Sequence, residues 1–191
     1  MRRRSLLIAV PAGLATLAAC GDEKSDSSKA SDSASPSPSS SASQAPPPKI
    51  VDGPLPAVTA GTKFGEKPTV AKGSGEPSKD LAVKTVIAGG GKAVAENDFL
   101  VADYLGQIWA SAKVFDNSYD RKTPIVIQLA QGSIIDGWRY ALTGKKTGSR
   151  VQFSVPPAYG YGDQGSEQAG IKGTDTLVFV VVVKDTFNAK S

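Results

Sequence analysis

The sequence predicts an α+β domain, an antiparallel β-sheet of five or more strands with one short helix laid across it, preceded by a disordered tether. At least five segments rich in Val, Ile and Phe are separated by Gly, Pro and Asp residues, which is typical of strands and turns. Only one segment has apolar residues at helical spacing. A stretch near the N-terminus is almost wholly Ser, Ala, Pro, Asp and Lys, and such a composition cannot form a core.

The predicted strands lie after residue 80. They are Ala82–Ala88, Phe99–Trp109 with an interruption at Gly106, Ile125–Leu129, Ser149–Val155 and Thr176–Lys184. Gly89–Lys92, after the first strand, is similar to part of a phosphate-binding loop. That motif requires glycine at Val86 and Ser or Thr at Ala93, so we interpret the glycines as a hairpin turn.

The single helical segment is Ile135–Leu142, which places Ile135, Trp138 and Leu142 on one side. Gly144 is a plausible stop for this helix. We assign residues 81–191 to one domain with no internal repeat.

Residues 50–80 form an extension ahead of this domain. Within it, Thr62–Ala71 could supply an added edge strand or an arm. Pro68 argues against a central strand, because proline cannot donate to a sheet ladder.

The N-terminus has the pattern of an export signal. Arg2–Arg4 precede an apolar run, Leu6–Leu17, that is short for a membrane span. Leu17-Ala18-Ala19-Cys20 resembles the lipobox of bacterial lipoproteins, in which the cysteine thiol is lipidated and becomes the new N-terminus. We therefore predict a signal peptide over 1–19 and a disordered tether over 20–49; an ordinary signal peptide or a membrane anchor is the alternative. Arg3–Leu7 also loosely matches a twin-arginine signal, which leaves the export route open.

Charge and composition exclude several classes of protein. Three of the 22 basic residues are Arg2–Arg4, so a chain beginning at Cys20 carries 19 basic and 18 acidic side chains. This balance gives no support for nucleic-acid binding. With no histidine there is no Ser–His–Asp triad and no ordinary zinc-enzyme site, and with one cysteine there is no disulfide within the chain.

The stretch Val114–Arg121 (VFDNSYDR) combines acidic, amide and hydroxyl side chains, which suggests a metal loop or an acid–base site. A calcium loop starting at Asp116 would need glycine and glutamate at its sixth and twelfth positions, where Arg121 and Ile127 stand. Acid–base chemistry would need a second polar wall, and the other notable residues are apolar. Both interpretations are disfavoured, and we expect no metal and no cofactor.

Large apolar residues in predicted loops suggest instead a cavity with aromatic walls. Ile134-Ile135 and Tyr159-Gly160-Tyr161 lie outside the predicted strands, whereas core residues of a small sheet should lie on strands. The alternative is that each of these residues belongs to the core.

Four motifs together resemble the FKBP-type peptidyl-prolyl cis-trans isomerases. They occur in family order and spacing, and they are Val114-Phe115-Asp116-Asn117-Ser118, Ile134-Ile135-Asp136-Gly137-Trp138, Pro156-Pro157-Ala158-Tyr159-Gly160-Tyr161-Gly162 and Thr176-Leu177-Val178-Phe179. The resemblance covers roughly Asp98 to Asp185. It implies a sheet wrapped around one short helix, which agrees with the strand pattern.

The resemblance also implies roles for single residues. Trp138 would form the floor of the pocket, and Tyr104, Phe115 and Phe179 its aromatic walls. Ile134 and Ile135 would form the rim, with the backbone N–H of Ile135 as a donor. Tyr161 would offer its hydroxyl as a donor, and Asp116 would lie at the pocket edge with Arg121 paired to it.

The sequence departs from the family pattern at two places. Ile125 stands where an aromatic wall residue is usual. Ile171 would be a wall residue, but it comes from the altered loop Gly162–Thr174.

The implied function is acceleration of rotation about X–Pro bonds, without covalent or metal chemistry. With the lipobox, this predicts a monomeric isomerase held on the outer face of a bacterial cell membrane through Cys20, acting on unfolded exported proteins. The family's macrolide inhibitors are candidate ligands. Ile125 and the altered loop Gly162–Thr174 argue against tight binding of these inhibitors. The alternatives are a non-catalytic chaperone or peptide-binding module on the same fold, or a solute-binding lipoprotein, for which the chain is short.

Overall fold

The protein is described here by a computed structural model covering residues 46–188, and the predicted signal peptide and Cys20 lie outside those residues. A main sheet of seven strands contains the order β1-β4-β8-β9-β5-β6, and β7 pairs with β5 alongside β6. Its strands are β1 (Ile50–Val51), β4 (Leu81–Ile87), β5 (Phe99–Ile108), β6 (Val114–Asn117), β7 (Ile125–Gln128), β8 (Arg150–Val155) and β9 (Leu177–Phe187). One helix, α1 (Asp136–Leu142), packs against this sheet. The predicted α+β class is confirmed.

Each predicted strand and the helix are present, with small differences at their ends. The helix begins one residue after the predicted start, and Gly144 follows its C-terminal cap residue, Thr143, in the left-handed conformation at φ +80°. The pairing is antiparallel, as expected, except that β1 runs parallel to β4 at one edge of the sheet.

Two expectations about glycines were wrong. Gly89–Gly91 does not make a hairpin, because β4 pairs with β1 and β8 and not with β5. Gly91 donates instead to the carbonyl of Thr147 at 3.1 Å. The strand β5 also continues through Gly106, where only its pairing with β6 is irregular.

The first hydrophobic core lies between the sheet and α1. On β9, Val181, Phe179 and Leu177 face this core, and Val151 and Phe153 of β8 join them. Each of these five residues is at most 3% exposed. Trp138 and Leu142 of α1 complete the layer, so the helix covers the side of the sheet on which the candidate site lies.

A second core on the opposite face explains why β9 is apolar without a break from Leu177 to Val183. Val178 and Val180 alternate with the residues of the first core and pack with Leu105 and Trp109. The extension covers them, since Val70 joins this core. A sheet strand reads as a continuous apolar run only when both of its faces are buried.

The extension itself forms a two-stranded sheet of β2 (Val58–Ala60) and β3 (Thr69–Val70). Side chains from the main sheet fix it by hydrogen bonds to its backbone carbonyls. Gln152 Nε2 donates to Pro56 O at 2.6 Å, and Gln107 Nε2 donates to Ala71 O at 2.9 Å. The extension is therefore an integral layer of the domain. Within residues 46–188, no helix has the length and apolar content needed to cross a membrane.

Candidate functional site

A cavity of about 200 Å³ opens between the sheet, α1 and the loops that flank them. Nine residues line it: Tyr104, Phe115, Asp116, Ile125, Ile134, Ile135, Trp138, Tyr161 and Phe179. All nine were singled out from the sequence. The lining is mostly rings and branched aliphatic chains, with one carboxylate and two phenol hydroxyls.

Aromatic rings packed edge-to-face form the floor of the cavity. The indole of Trp138 is 2% exposed and meets Tyr104 and Phe179 edge-on, each with ring centroids 5.4 Å apart. Phe115 meets Phe179 in the same manner at 5.7 Å. This geometry is the one that aromatic quadrupoles favour, and it fixes the orientation of each ring.

Gly106 is required for this floor. A Cβ atom at this position would lie 2.7 Å from the Phe115 ring and 2.8 Å from the Phe179 ring. The two rings therefore pack directly over the backbone of β5. The sequence showed the glycine but not the reason for it.

A polar corner closes one side of the cavity. The hydroxyl of Tyr104 donates to a carboxylate oxygen of Asp116, and Arg121 forms an ion pair with the other oxygen. Arg121 Nη2 also donates to the Tyr104 hydroxyl at 2.8 Å. Burial and the hydrogen bond to Asp116 raise the pKa of Tyr104 to about 12. Burial opposes ionisation of Asp116, but its hydrogen bonds with Tyr104 and Arg121 outweigh burial and lower its pKa.

Ser118 is a supporting residue for which sequence reasoning proposed no role at the pocket. Its side chain is fully buried, its Oγ accepts from the Tyr104 backbone N–H at 3.0 Å, and it donates to Asp103 Oδ1 at 3.1 Å. The hydroxyl therefore ties the loop after β6 to the strand that carries Tyr104. Its place in the VFDNS motif was the one available signal.

Tyr161 stands at the open side of the cavity. Its side chain is 41% exposed, and its hydroxyl makes no hydrogen bond with any residue of the described part of the chain. Burial of the ring and the nearby charge of Asp116 raise the pKa of Tyr161. The hydroxyl is thus protonated at neutral pH and able to donate.

Two wider cavities flank the central one, each of about 510 Å³. One lies along Ile134, Ile135 and Asp136, and the other along Phe115, Asp116 and Ser166. Tyr161 lines all three cavities. Together they form a groove that crosses the site.

Two predicted site residues do not line the central cavity. Arg121 lies behind Asp116 and contacts Tyr104, with its charge 5.7 Å from the centre of that ring. Ile171 is 4% exposed and packs in the first core. It is part of the support for the loop, bridged to Ser166, and not a wall of the cavity.

Comparison with known proteins gives the family. The sequence model of the FKBP-type peptidyl-prolyl cis-trans isomerases matches residues 90–184. An FK506-binding protein of Streptomyces anulatus is 36% identical over 115 residues, which cover 60% of this chain and 93% of that protein. The FKBP-type isomerase FkpA of Escherichia coli K12 is 35% identical over 125 residues, 65% of this chain. The chain spans only 44% of FkpA.

Solved structures agree with the sequence comparisons. The crystal structure of FkpA from Escherichia coli matches with a TM-score of 0.53 and 36% identity, covering 62% of this chain and 54% of that chain. The crystal structure of AtFKBP13 matches with a TM-score of 0.52 and 26% identity, covering 56% of this chain and 94% of that chain. This chain belongs to the FKBP-type peptidyl-prolyl cis-trans isomerase family, and its enzyme class is peptidyl-prolyl isomerase.

Proposed function

We propose that the central cavity receives the proline of an X–Pro segment in an unfolded exported protein and accelerates rotation about its peptide bond. The observation that carries this proposal is the lining, nine residues that are mostly apolar and surround about 200 Å³. Pockets for drug-sized ligands span about 300–1,000 Å³, so a cavity of this size suits one small ring.

The chemistry of rotation needs no base and no metal. Amide resonance creates a rotational barrier of roughly 18–20 kcal/mol, and crossing it breaks no covalent single bond and transfers no proton. The twisted amide is less charge-separated than the planar one. A pocket that removes water from the carbonyl therefore favours the twisted form over the ground state.

We assign two hydrogen-bond donors to the rotated carbonyl, the hydroxyl of Tyr161 and the backbone N–H of Ile135. Both residues line the central cavity. Hydrogen bonds that form fully only in the transition state raise the rate, and each tenfold gain requires about 1.4 kcal/mol. The polar corner of Tyr104 and Asp116 orients the wall and does not transfer a proton.

The groove supports an extended substrate. The flanking cavities continue the central one on either side of Tyr161, so several residues on both sides of the proline can contact the protein. The charged residues that line these three cavities are the acids Asp116 and Asp136. Each acid is paired with an arginine, Arg121 and Arg139 respectively, so we expect peptides with lysine or glutamate beside the proline to be used about equally well.

Refolding assays distinguish isomerisation from simple holding of a chain. We expect the protein to speed refolding of an exported protein whose slow step is X–Pro isomerisation, and to leave the yield and rate of a proline-free client unchanged. Equal help to both clients would instead support the non-catalytic module.

The location of the protein is a separate part of the proposal. The signal-like sequence before Cys20 supports a lipid anchor on the outer face of a bacterial membrane. Metabolic labelling with a radiolabelled fatty acid should mark the full chain and not its Cys20→Ala variant. Absence of label in the unaltered chain would contradict the anchor.

The residue at position 125 should determine how tightly this protein binds a macrolide. A relative carries the name FK506-binding protein, and here Ile125 lines the central cavity. We expect weak binding of FK506 because this wall lacks an aromatic ring, and tighter binding by the Ile125→Tyr variant. Titration calorimetry measures both. Equal affinities would show that this wall does not determine macrolide binding.

A further inference from the structure

The extension reaches the loop that carries the polar corner of the site. Lys67, just before β3, places its Nζ 2.6 Å from Asp120 Oδ1. Asp120 lies in the loop after β6, directly before Arg121. The extension lies outside residues 90–184, the part of the chain that the family model matches.

Asp120 connects this ion pair to the rest of the loop. Its second carboxylate oxygen accepts from Asn117 Nδ2 at 2.9 Å, and its backbone N–H donates to Asn117 Oδ1 at 2.9 Å. These two hydrogen bonds join Asn117 to Asp120 within the loop, and Lys67 of the extension contacts the loop through Asp120. Arg121, the next residue, donates hydrogen bonds to Asp116 and Tyr104, which do line the cavity.

A buried cation fixes the turn that presents Lys67. Arg150 is fully buried, and its guanidinium donates to the carbonyls of Gly61 and Glu66 in the turn between β2 and β3. Gly61 has φ +63°, and a Cβ atom there would lie 1.9 Å from the carbonyl oxygen of Lys67. The turn is therefore tightly closed, and its position relative to β8 determines where Lys67 can reach.

The same cation also acts on the loop of the site. Burial raises the pKa of Tyr119, the residue before Asp120, and the charge of Arg150 opposes that rise. The Arg150 guanidinium thus bonds to the turn Gly61–Lys67 and lies near Tyr119 of the loop, and Lys67 joins the turn to the loop directly.

We propose that Lys67 is a positioning residue of the isomerase site, holding Asp120 so that Arg121 keeps Asp116 and Tyr104 in the orientation that shapes the cavity. This inference rests on the proposed site. It gives the extension a role in activity beyond covering the second core. Lys67 and Asp120 have side chains that are 47% and 64% exposed, so the effect is expected to be modest.

A double-mutant cycle in the full chain tests the proposal. Lys67→Met removes the cation, and Asp120→Asn removes the charge while keeping an acceptor for Asn117. Each is expected to lower kcat/KM by about twofold to fivefold, the range of an exposed ion pair. The double variant should lose no more than either single variant, and Lys67→Arg should keep most of the activity.

Lys63→Met is the matched control, since Lys63 is an exposed lysine in the same turn whose side chain has no bonding partner among the described residues. It should have the kcat/KM of the unaltered chain. Thermal unfolding of every variant should show that all are folded at the assay temperature. Equal kcat/KM for the two lysine variants, or additive losses in the cycle, would overturn the proposal.

A second readout does not depend on activity. The guanidinium ¹⁵N resonances of Arg121 should shift in Lys67→Met and not in Lys63→Met. If the unaltered chain has no isomerase activity, the proposed function fails, and these resonances still decide the positioning role. No shift in Lys67→Met would refute it.

Discussion

The Tyr104 hydroxyl donates to Asp116 and accepts from Arg121, so a neutral phenol bonds to both members of an ion pair that are also in direct contact with each other. The arrangement holds the Asp116 carboxylate against a cavity that is otherwise apolar. Its charge is matched within the protein, which leaves Tyr161 as the side-chain donor on the open side. The polar residues thus shape the pocket, and the rings provide most of its surface.

The activity should be independent of pH between about pH 6 and pH 9. The pKa of Tyr104 is raised to about 12, so its contribution to stability is lost only as pH rises from its ordinary value of 10.0 through 12. The pKa of Asp116 is lowered, so its contribution is lost as pH falls below its ordinary value of 3.8. Measured kcat/KM should be flat across this window, and a bell-shaped profile with an inflection near pH 7 would contradict the account.

Tyr161→Phe should lower kcat without lowering stability. The hydroxyl makes no hydrogen bond with another described residue, so its removal leaves no buried group unpaired. Loss of one transition-state hydrogen bond should reduce kcat by about tenfold. Tyr159→Phe is the control, since Tyr159 lines none of the three cavities of the groove. Equal kcat in the two variants would remove the donor role of Tyr161.

Trp138→Ala should destabilise the fold as well as the site. The indole is 2% exposed and meets three aromatic rings edge-on, those of Tyr104, Phe153 and Phe179. Truncation of such a side chain costs about 3–5 kcal/mol, whereas Trp138→Phe should cost less because a ring is kept. Urea unfolding measures both values. A cost below about 1 kcal/mol for alanine would show that this ring is not part of the core.

Removal of residues 1–80 should unfold or strongly destabilise the domain. The truncation removes Val70 from the second core and removes the two carbonyls that accept from Nη1 and Nη2 of the buried Arg150. A buried cation without acceptors is strongly unfavourable. Removal of residues 1–45 alone should leave the unfolding free energy unchanged, because the sequence predicts a cleaved signal and a tether whose composition cannot form a core. Equal stability of both truncated chains would contradict the integral role of the extension.

The elements that sequence could predict are those encoded locally. The helix followed from the spacing of Ile135, Trp138 and Leu142, and β9 from a run of Val and Phe. The strand β6 was missed because Val114–Asn117 is short and lacks an alternating pattern. Seven of the nine lining residues lie in the four family motifs, and Tyr104 and Ile125 came from the wider resemblance. The contact of all nine across six separate segments did not follow from periodicity.

Long-range contacts explain what sequence could not predict. The place of the extension depends on side chains nearly 90 positions away, such as Arg150 bonding to Gly61. No local pattern in Thr62–Ala71 indicates that partner. One indirect signal was present, because the unbroken apolar run of β9 requires both of its faces to be covered.

Exchange of an X–Pro peptide between its cis and trans forms, followed by NMR with and without residues 46–191, tests the central claim most directly. Uncatalysed exchange takes tens to hundreds of seconds at 25 °C. The account predicts that exchange accelerates in proportion to protein concentration and that Tyr161→Phe weakens this acceleration. An exchange rate no higher than that of the peptide alone would contradict it.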